Sequence, residues 1–291
     1  MYRKNRRIVL GFLAPVLAVL SFLALYPTVR MIYTSFTDYV LTRPWEGQKF
    51  NFGHNYAELF HDFRFWLAIG RSGVLAVTSV GASLVLGFGI ASLINRLYCG
   101  RGIFRTLFLI PMVIAPSIAG LIFKFILNYD FGMINQLLAG LGLSRIDFLG
   151  APLAALLSVI AVDVWQWTPF AVTVLLAGLE SLPHEPFEAA RIDGASELRI
   201  LWHITLPLMR KFIVIVVIFR FIQCIRLFDT VKLMTDGGPG ISTEILNVYI
   251  TKVGFSWFDL GYASALAFIA LNLGALVAMF FIRHTRTFAV E

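Results

Sequence analysis

The stretch SGVLAVTSVGASLVLGFGIASLI, residues 72–94, decides the fold class of this chain because it contains no charged side chain. A membrane-spanning helix needs about 20 consecutive, mostly apolar residues. Five further apolar runs of comparable length occupy residues 8–32, 103–127, 153–179, 207–234 and 262–282. The sequence therefore predicts an all-α polytopic membrane protein, with six transmembrane helices in one domain over residues 1–291.

The overall composition agrees with a membrane protein. Hydrophobic residues make up 58% of the chain and charged residues only 14%, against about 25% charged residues in soluble domains. The net charge of +7 could suggest nucleic acid binding, but the chain has no RNA- or DNA-binding motif. Cys99 and Cys224 lie far apart without metal-ligand spacing, so we expect neither a disulfide framework nor a zinc site.

Lys and Arg are concentrated on alternate connections between the predicted spans. The richer segments hold Arg3, Lys4, Arg6 and Arg7, then Arg96, Arg101 and Arg105, then Arg191, Arg199, Arg210 and Lys211, and finally Arg283 and Arg286. Because positive residues stay on the cytoplasmic side, we expect both termini and the connection after the fourth span to be cytoplasmic. The first span is too long for a signal-peptide core and lacks a small-residue cleavage pattern, so we expect it to be retained.

Prolines interrupt several predicted spans, at Pro15, Pro27, Pro111, Pro116 and Pro169. Each proline removes a backbone hydrogen bond from its helix. In a bilayer the freed carbonyls need a neighbouring side chain or a wet cavity. Such breaks favour a transport pathway over a simple membrane anchor.

One cytoplasmic connection, residues 183–205, is unusually polar and includes the run HEPFEAARIDGASELRILWHI. It predicts a short amphipathic helix, a turn at Gly194 and a second helix. Glu185 and Glu188 suit a helix N-terminus, and the small residues Ala189 and Ala190 leave room for close approach by another protein. The segment is therefore either an interfacial amphipathic helix or a docking segment.

The spacing in this connection resembles the EAA motif of permease subunits of binding-protein-dependent ABC importers. The motif runs from Glu188 through Gly194 to Ile204, and it closes on Leu206 and Pro207. The resemblance implies a coupling helix that docks on a separate cytoplasmic ATPase. The candidate coupling residues are Glu188, Ala189, Ala190, Asp193 and Gly194.

Four other segments resemble the carbohydrate branch of the same family, which includes maltose and glycerol-phosphate systems. They are NFGHNYAELFHDFRFW (51–66), FGMINQLLAGLG (131–142), FRFIQCIRLFDTVKLMTDGGPG (219–240) and FDLGYASALAF (258–268). The resemblance implies a type I ABC importer permease fold in a bacterial inner membrane. It also implies a second homologous permease, two ATPase subunits and an extracytoplasmic solute-binding protein, for which Gly237, Gly238 and Pro239 are candidate docking residues.

The chain has no G-x-x-x-x-G-K-[ST] phosphate-binding motif. We therefore expect it to be a transporter subunit rather than an enzyme, with no metal site or cofactor of its own. The resemblance implies that ATP and Mg²⁺ bind to the partner ATPase.

Polar and aromatic side chains within the fourth and fifth spans suggest a substrate path, because polar groups inside spans are costly and usually functional. The candidates are Asp163, Gln166, Trp167, Phe170, Arg220, Gln223, Cys224 and Leu227. Hydrogen-bonding groups beside aromatic rings suit a carbohydrate, and the matching stretches line the substrate site in maltose-type permeases. Asp163 and Arg220 are either substrate contacts or an interhelical ion pair. We expect them to approach one another, with Trp167 and Gln223 beside them.

Three functions compete at this point. A permease subunit of an ATP-driven carbohydrate importer accounts for the coupling motif, the bent spans and the buried polar residues. The alternative is an ion-coupled secondary transporter for a small polar solute, but the two halves show no repeat of the kind common in that class. A receptor or scaffold would leave the bent spans unexplained.

Overall fold

The computed structural model describes residues 2–97 and 101–286, which are predominantly helical and include no extended strand. Cys99 lies outside the described residues. The α-helices are α1 Tyr2–Ser35, α2 His54–His61, α3 Phe63–Asn95, α4 Arg101–Val113, α5 Pro116–Ile126, α6 Met133–Gly140, α7 Pro152–Glu180, α8 Glu185–Ile192, α9 Glu197–Ile200, α10 Leu206–Leu208, α11 Arg210–Ile225, α12 Asp229–Met234, α13 Leu246–Phe255 and α14 Leu260–Arg286. A 3₁₀ turn occupies Pro44–Glu46, and a π-helical turn at Leu201–Thr205 joins α9 to α10. The predicted all-α class is confirmed.

Within the described residues, four helices are long and apolar enough to cross a bilayer. These are Phe12–Ser35 of α1, α3, α7 and Leu260–Val277 of α14. They correspond to the first, second, fourth and sixth predicted spans. The third and fifth predicted spans are not single helices.

The predicted span 103–127 is divided into α4 and α5, which meet at an angle of 94°. Pro116 begins α5 and has no N–H to donate, and the preceding Ala115 is extended with ψ 137°, as a residue before proline prefers. The freed carbonyl of Ile114 accepts a hydrogen bond from Nε2 of Gln166 at 2.7 Å. The bend is therefore satisfied by a side chain of α7.

The predicted span 207–234 is likewise interrupted, since α11 ends at Ile225 and α12 begins at Asp229. Nδ2 of Asn247 donates to the carbonyls of Ile225 and Leu227, at 2.8 and 3.1 Å. An irregular backbone at membrane depth needs such partners. No proline marks this break in the sequence. Neither a helix-breaking residue nor apolar periodicity could therefore locate it.

The chain forms two compact units, of which the first comprises Met1–Phe65 and Tyr249–Leu273. In this unit the buried Asn55 donates through Nδ2 to the carbonyls of Ser35 and Thr37, at 2.9 and 3.1 Å. The hydroxyl of Tyr56 pairs with Oγ of Ser35 at 2.7 Å. The Asn-Tyr pair of the 51–66 segment therefore holds α2 against the end of α1.

Hydrogen bonds to the carboxylate of Asp62 also stabilise the first unit. Asp62 accepts hydrogen bonds from the hydroxyls of Tyr249 at 2.5 Å and Tyr262 at 2.7 Å. The Arg64 guanidinium stacks on the ring of Trp257, 4.9 Å from its centroid. Burial raises the pKa of Asp62, but hydrogen bonds from the tyrosine hydroxyls and from backbone N–H groups outweigh it, so the pKa lies below its usual value.

The second unit comprises Trp66–Val248 and Gly274–Glu291. Helices α3 and α7 approach closely in it, because a Cβ at Gly87 would lie 2.7 Å from Cβ of Ala171. Helix α11 approaches α7 in the same way, where Gly178 faces the ring of Phe212. The second contact places α11 beside α7, and these two helices carry most of the predicted path residues.

Candidate functional site

The predicted turn in the 183–205 segment is confirmed at Gly194, which has φ +76° and follows α8. Its N–H donates to the carbonyl of Arg191 at 3.1 Å, and the N–H of Ala195 donates to the carbonyl of Ala190 at 2.9 Å. This pair of bonds is the Schellman motif, in which glycine takes the left-handed position at low steric cost. Glycine at this position is therefore favoured by the backbone of the turn that the sequence predicts.

The outer surface of this segment is apolar as well as polar. Ile192 is 86% exposed, Leu198 65% and Trp202 62%. A Cβ at Gly194 would meet no atom within 4 Å. Glu188, Ala189 and Asp193 are exposed, and Ala190 is half-buried. Large apolar side chains exposed on a polar segment make it a candidate protein-binding surface.

Ile192 was missed as a candidate docking residue. Its signal in the sequence is a large apolar side chain between the charged residues Arg191 and Asp193.

Glu197 connects this segment to the end of α3. One carboxylate oxygen lies 3.6 Å from Nε of Arg191, and the other lies 3.7 Å from Nη2 of Arg96. All three side chains are well exposed, so each pair contributes little stability by itself.

The predicted approach of Asp163 and Arg220 is confirmed. Nη2 of Arg220 donates to Oδ2 of Asp163 at 2.5 Å, with the two side chains 0% and 2% exposed. The guanidinium also lies over the ring of Trp167, 5.9 Å from its centroid. Among the described residues, Nε and Nη1 of Arg220 have no hydrogen-bond partner. The charge of this buried arginine is therefore balanced by one carboxylate.

Aromatic rings extend from this ion pair along α7 and α11. The rings of Phe170 and Phe219 stack with their centroids 4.0 Å apart, and Trp167 meets Phe219 edge-on at 6.1 Å. All three residues are half-buried. Phe219 was not among the predicted path residues, although it directly precedes Arg220.

The eight predicted path residues occupy different environments. Trp167, Phe170 and Gln223 are half-buried, whereas Asp163, Gln166, Arg220, Cys224 and Leu227 are buried within the chain. Nε2 of Gln166 donates to the carbonyl of Ile114 and so supports the bend between α4 and α5. Leu227 and Cys224 belong to two different hydrophobic clusters. A direct role of these eight residues in substrate contact stays a prediction.

The turn that contains the three predicted docking residues is closely hydrogen-bonded. Gly237 is buried, and Gly238 and Pro239 are half-buried. Oγ1 of Thr243 donates to the carbonyl of Gly238 at 2.8 Å and lies 2.6 Å from Oγ1 of Thr235. These contacts give the turn a defined shape, and its role in docking stays a prediction.

Residues 57–286 match the protein family described as the inner membrane component of binding-protein-dependent transport systems. The chain belongs to this family. The predicted class is confirmed, and none of the comparisons supports the ion-coupled alternative.

Three of the relatives carry sugar-transport names. The chain is 35% identical to the sulfoquinovosyl glycerol transport system permease SmoG of Agrobacterium fabrum, over 97% of this chain and 92% of that protein. It is 31% identical to the trehalose/maltose permease MalF of Thermococcus litoralis, over 89% and 86%. It is also 31% identical to the multiple sugar-binding transport permease MsmF of Streptococcus mutans, over 91% and 90%.

The fold also resembles that of a chain in a solved ABC transporter. A chain in the crystal structure of a bacterial alginate ABC transporter, complexed with a periplasmic protein that holds an alginate pentasaccharide, superposes with a TM-score of 0.80. The match covers 99% of this chain and 98% of that one at 21% identity. It therefore supports the permease fold.

Proposed function

We propose that this permease is one of two different membrane subunits of an ATP-driven importer for a carbohydrate or carbohydrate derivative. The observation that carries the proposal is the 183–205 segment, in which Ile192 and Glu188 are exposed beside the Schellman turn at Gly194. The sugar-transport names of its relatives support the substrate class. The complex would contain a second homologous permease, two ATPase subunits that bind ATP and Mg²⁺, and an extracytoplasmic solute-binding protein.

The orientation that we propose places both termini and the 183–205 segment in the cytoplasm. The Lys and Arg distribution supports it. The turn with Gly237, Gly238 and Pro239 would then face outward, where a solute-binding protein docks.

We infer that the substrate passes along the half-buried faces of α7 and α11, beside Trp167, Phe170 and Gln223. Rings that are half-exposed can lie against the apolar face of a sugar, and an amide can bond its hydroxyls. The Asp163–Arg220 pair lies beneath this surface and supports the Trp167 ring. In the described conformation its buried atoms would be reached by substrate only after the pair separates.

The coupling proposal is tested by substituting Gly194 with tryptophan in the reconstituted importer. The indole would project into the open space at the turn, and its Cβ would strain the left-handed backbone. We expect Gly194→Trp to assemble in the membrane but to lose ATP hydrolysis stimulated by the loaded solute-binding protein.

The matched control is Gly142→Trp. Gly142 has φ +75°, follows α6 and likewise has no atom within 4 Å of a built Cβ, and the same pair of bonds closes its turn. Normal stimulation in an assembled Gly194→Trp complex would refute docking at this segment. If both variants lose stimulated ATP hydrolysis, the defect comes from backbone strain rather than from blocked docking.

The substrate face is tested by comparing Trp167→Ala with Trp165→Ala. Trp165 lies on the same helix but meets Phe123 edge-on, with centroids 4.9 Å apart. We expect Trp167→Ala to raise the KM for transport while Trp165→Ala leaves it unchanged. An equal effect of both changes on KM would remove Trp167 from the path.

A further inference from the structure

A cavity of about 540 Å³ lies between the ends of α3 and α7 and the helices α8 and α9. Phe88 of α3, Leu179 of α7 and Ile200 of α9 are among its apolar lining residues. Its volume falls within the range of about 300–1,000 Å³ that is usual for small-molecule sites. The cavity is therefore large enough for part of an amphiphilic ligand.

The polar part of the cavity carries a net positive charge. Arg96 and Arg191 line it with one carboxylate, Glu197, so the sum is one positive charge with His184 neutral. The oxygens of Glu197 lie 3.6 and 3.7 Å from the guanidinium nitrogens, which is longer than a hydrogen bond. An anionic oxygen could therefore approach both guanidinium groups.

We propose that this cavity binds one anionic phospholipid of the inner leaflet, with its phosphate at Arg96 and Arg191. The part of one acyl chain nearest the headgroup would cover the side chains of Phe88 and Leu179. The site lies where the apolar run of α3 ends, two residues before Arg96, and this is the depth of lipid headgroups. A free phosphate would leave the apolar wall uncovered. The assignment to the inner leaflet rests on the orientation proposed above.

The proposed lipid site lies against the 183–205 segment, which we propose docks on the ATPase. Arg191 belongs to α8 and Glu197 to α9, so both helices of the 183–205 segment contribute to the cavity. A phosphate shared by Arg96 and Arg191 would hold α8 against the end of α3. We expect ATP hydrolysis stimulated by the solute-binding protein to rise when anionic lipid is present.

The charge test uses the delipidated importer complex, titrated with phosphatidylglycerol and, separately, with phosphatidylcholine, and followed by native mass spectrometry. Arg96→Gln should weaken phosphatidylglycerol binding about fivefold, as expected for the loss of one cation at a membrane surface. Glu197→Gln should strengthen it, because the competing carboxylate is gone. Arg199→Gln is the control, since Arg199 is exposed on α9 and does not line the cavity.

Arg96→Gln and Glu197→Gln should change the affinity for phosphatidylglycerol in opposite directions, and this distinguishes lipid binding from a purely structural role. If Arg96 and Glu197 mattered only as an ion pair, both substitutions would change phosphatidylglycerol binding in the same direction. That outcome overturns the proposal, as does equal affinity of the unmodified complex for the two lipids.

A second pair of variants tests the apolar part. Gly89 lines the cavity, and a Cβ there would meet no atom within 4 Å. Gly89→Leu should fill the cavity and weaken phosphatidylglycerol binding at least as much as Arg96→Gln does. Gly81→Leu is the control on the same helix, with equally open space outside the cavity.

Inorganic phosphate distinguishes the two sources of the anion. If phosphate displaces the lipid at comparable concentration, and Gly89→Leu leaves lipid binding unchanged, the site is a free-anion site and the lipid proposal is wrong.

Discussion

The buried ion pair between Asp163 and Arg220 gives the sharpest test of how this permease is held together. Asp163→Asn keeps the shape of the side chain but removes the charge that balances a guanidinium with 0% exposure. Removing one partner of a buried ion pair lowers the free energy of unfolding by about 3–5 kcal/mol. Because asparagine can still accept a hydrogen bond from Arg220, we expect a loss near the lower end, about 3 kcal/mol.

The predicted loss of stability can be measured as a decrease in the melting temperature. A change of about 3 kcal/mol corresponds to about 6–12 °C for a chain somewhat smaller than this one. The assay is thermal unfolding of the purified complex in detergent, together with the KM for transport in proteoliposomes. The exposed pair of Lys232 and Asp236 supplies a control, since Asp236→Asn should change stability by less than about 1 kcal/mol.

A compensating double variant completes the experiment. Asp163→Leu combined with Arg220→Met removes both charges and should recover most of the stability lost by Asp163→Leu alone. If Asp163→Asn melts normally but changes the KM for transport, the pair is a substrate contact rather than a structural element. That result would refute the reasoning from burial.

Two further predictions concern packing and the bend between α4 and α5. Gly87→Val should sharply reduce the yield of folded protein in fluorescence-detected gel filtration, because its Cβ would lie 2.7 Å from Cβ of Ala171. The control is Gly81→Val, which faces open space and should express normally. Gln166→Leu leaves the carbonyl of Ile114 without its donor and should lower stability by about 1–3 kcal/mol; an altered KM for transport with unchanged melting would instead place Gln166 in the substrate path.

Several features could be predicted from the sequence because they depend on neighbouring residues along the chain. A bilayer requires about 20 apolar residues per span, so the apolar runs predict a polytopic helical protein without knowledge of packing. The turn at Gly194 is equally local, since its bonds join residues within α8 and directly after it. The motif spacing in the 183–205 segment then predicted the family.

Other features depended on which helices become neighbours. Gln166 meets Ile114 across 52 positions of sequence, and Asn247 meets Ile225 across 22, so neither the satisfied bend nor the break in the fifth span follows from apolar periodicity. The approach of Asp163 and Arg220 could be anticipated because a charged side chain within a span needs a partner of opposite charge. Their complete burial could not, because burial depends on the side chains of all the helices that pack around the pair. The cavity at Arg96 likewise exists only where the ends of α3 and α7 meet α8 and α9, which the tertiary structure alone decides.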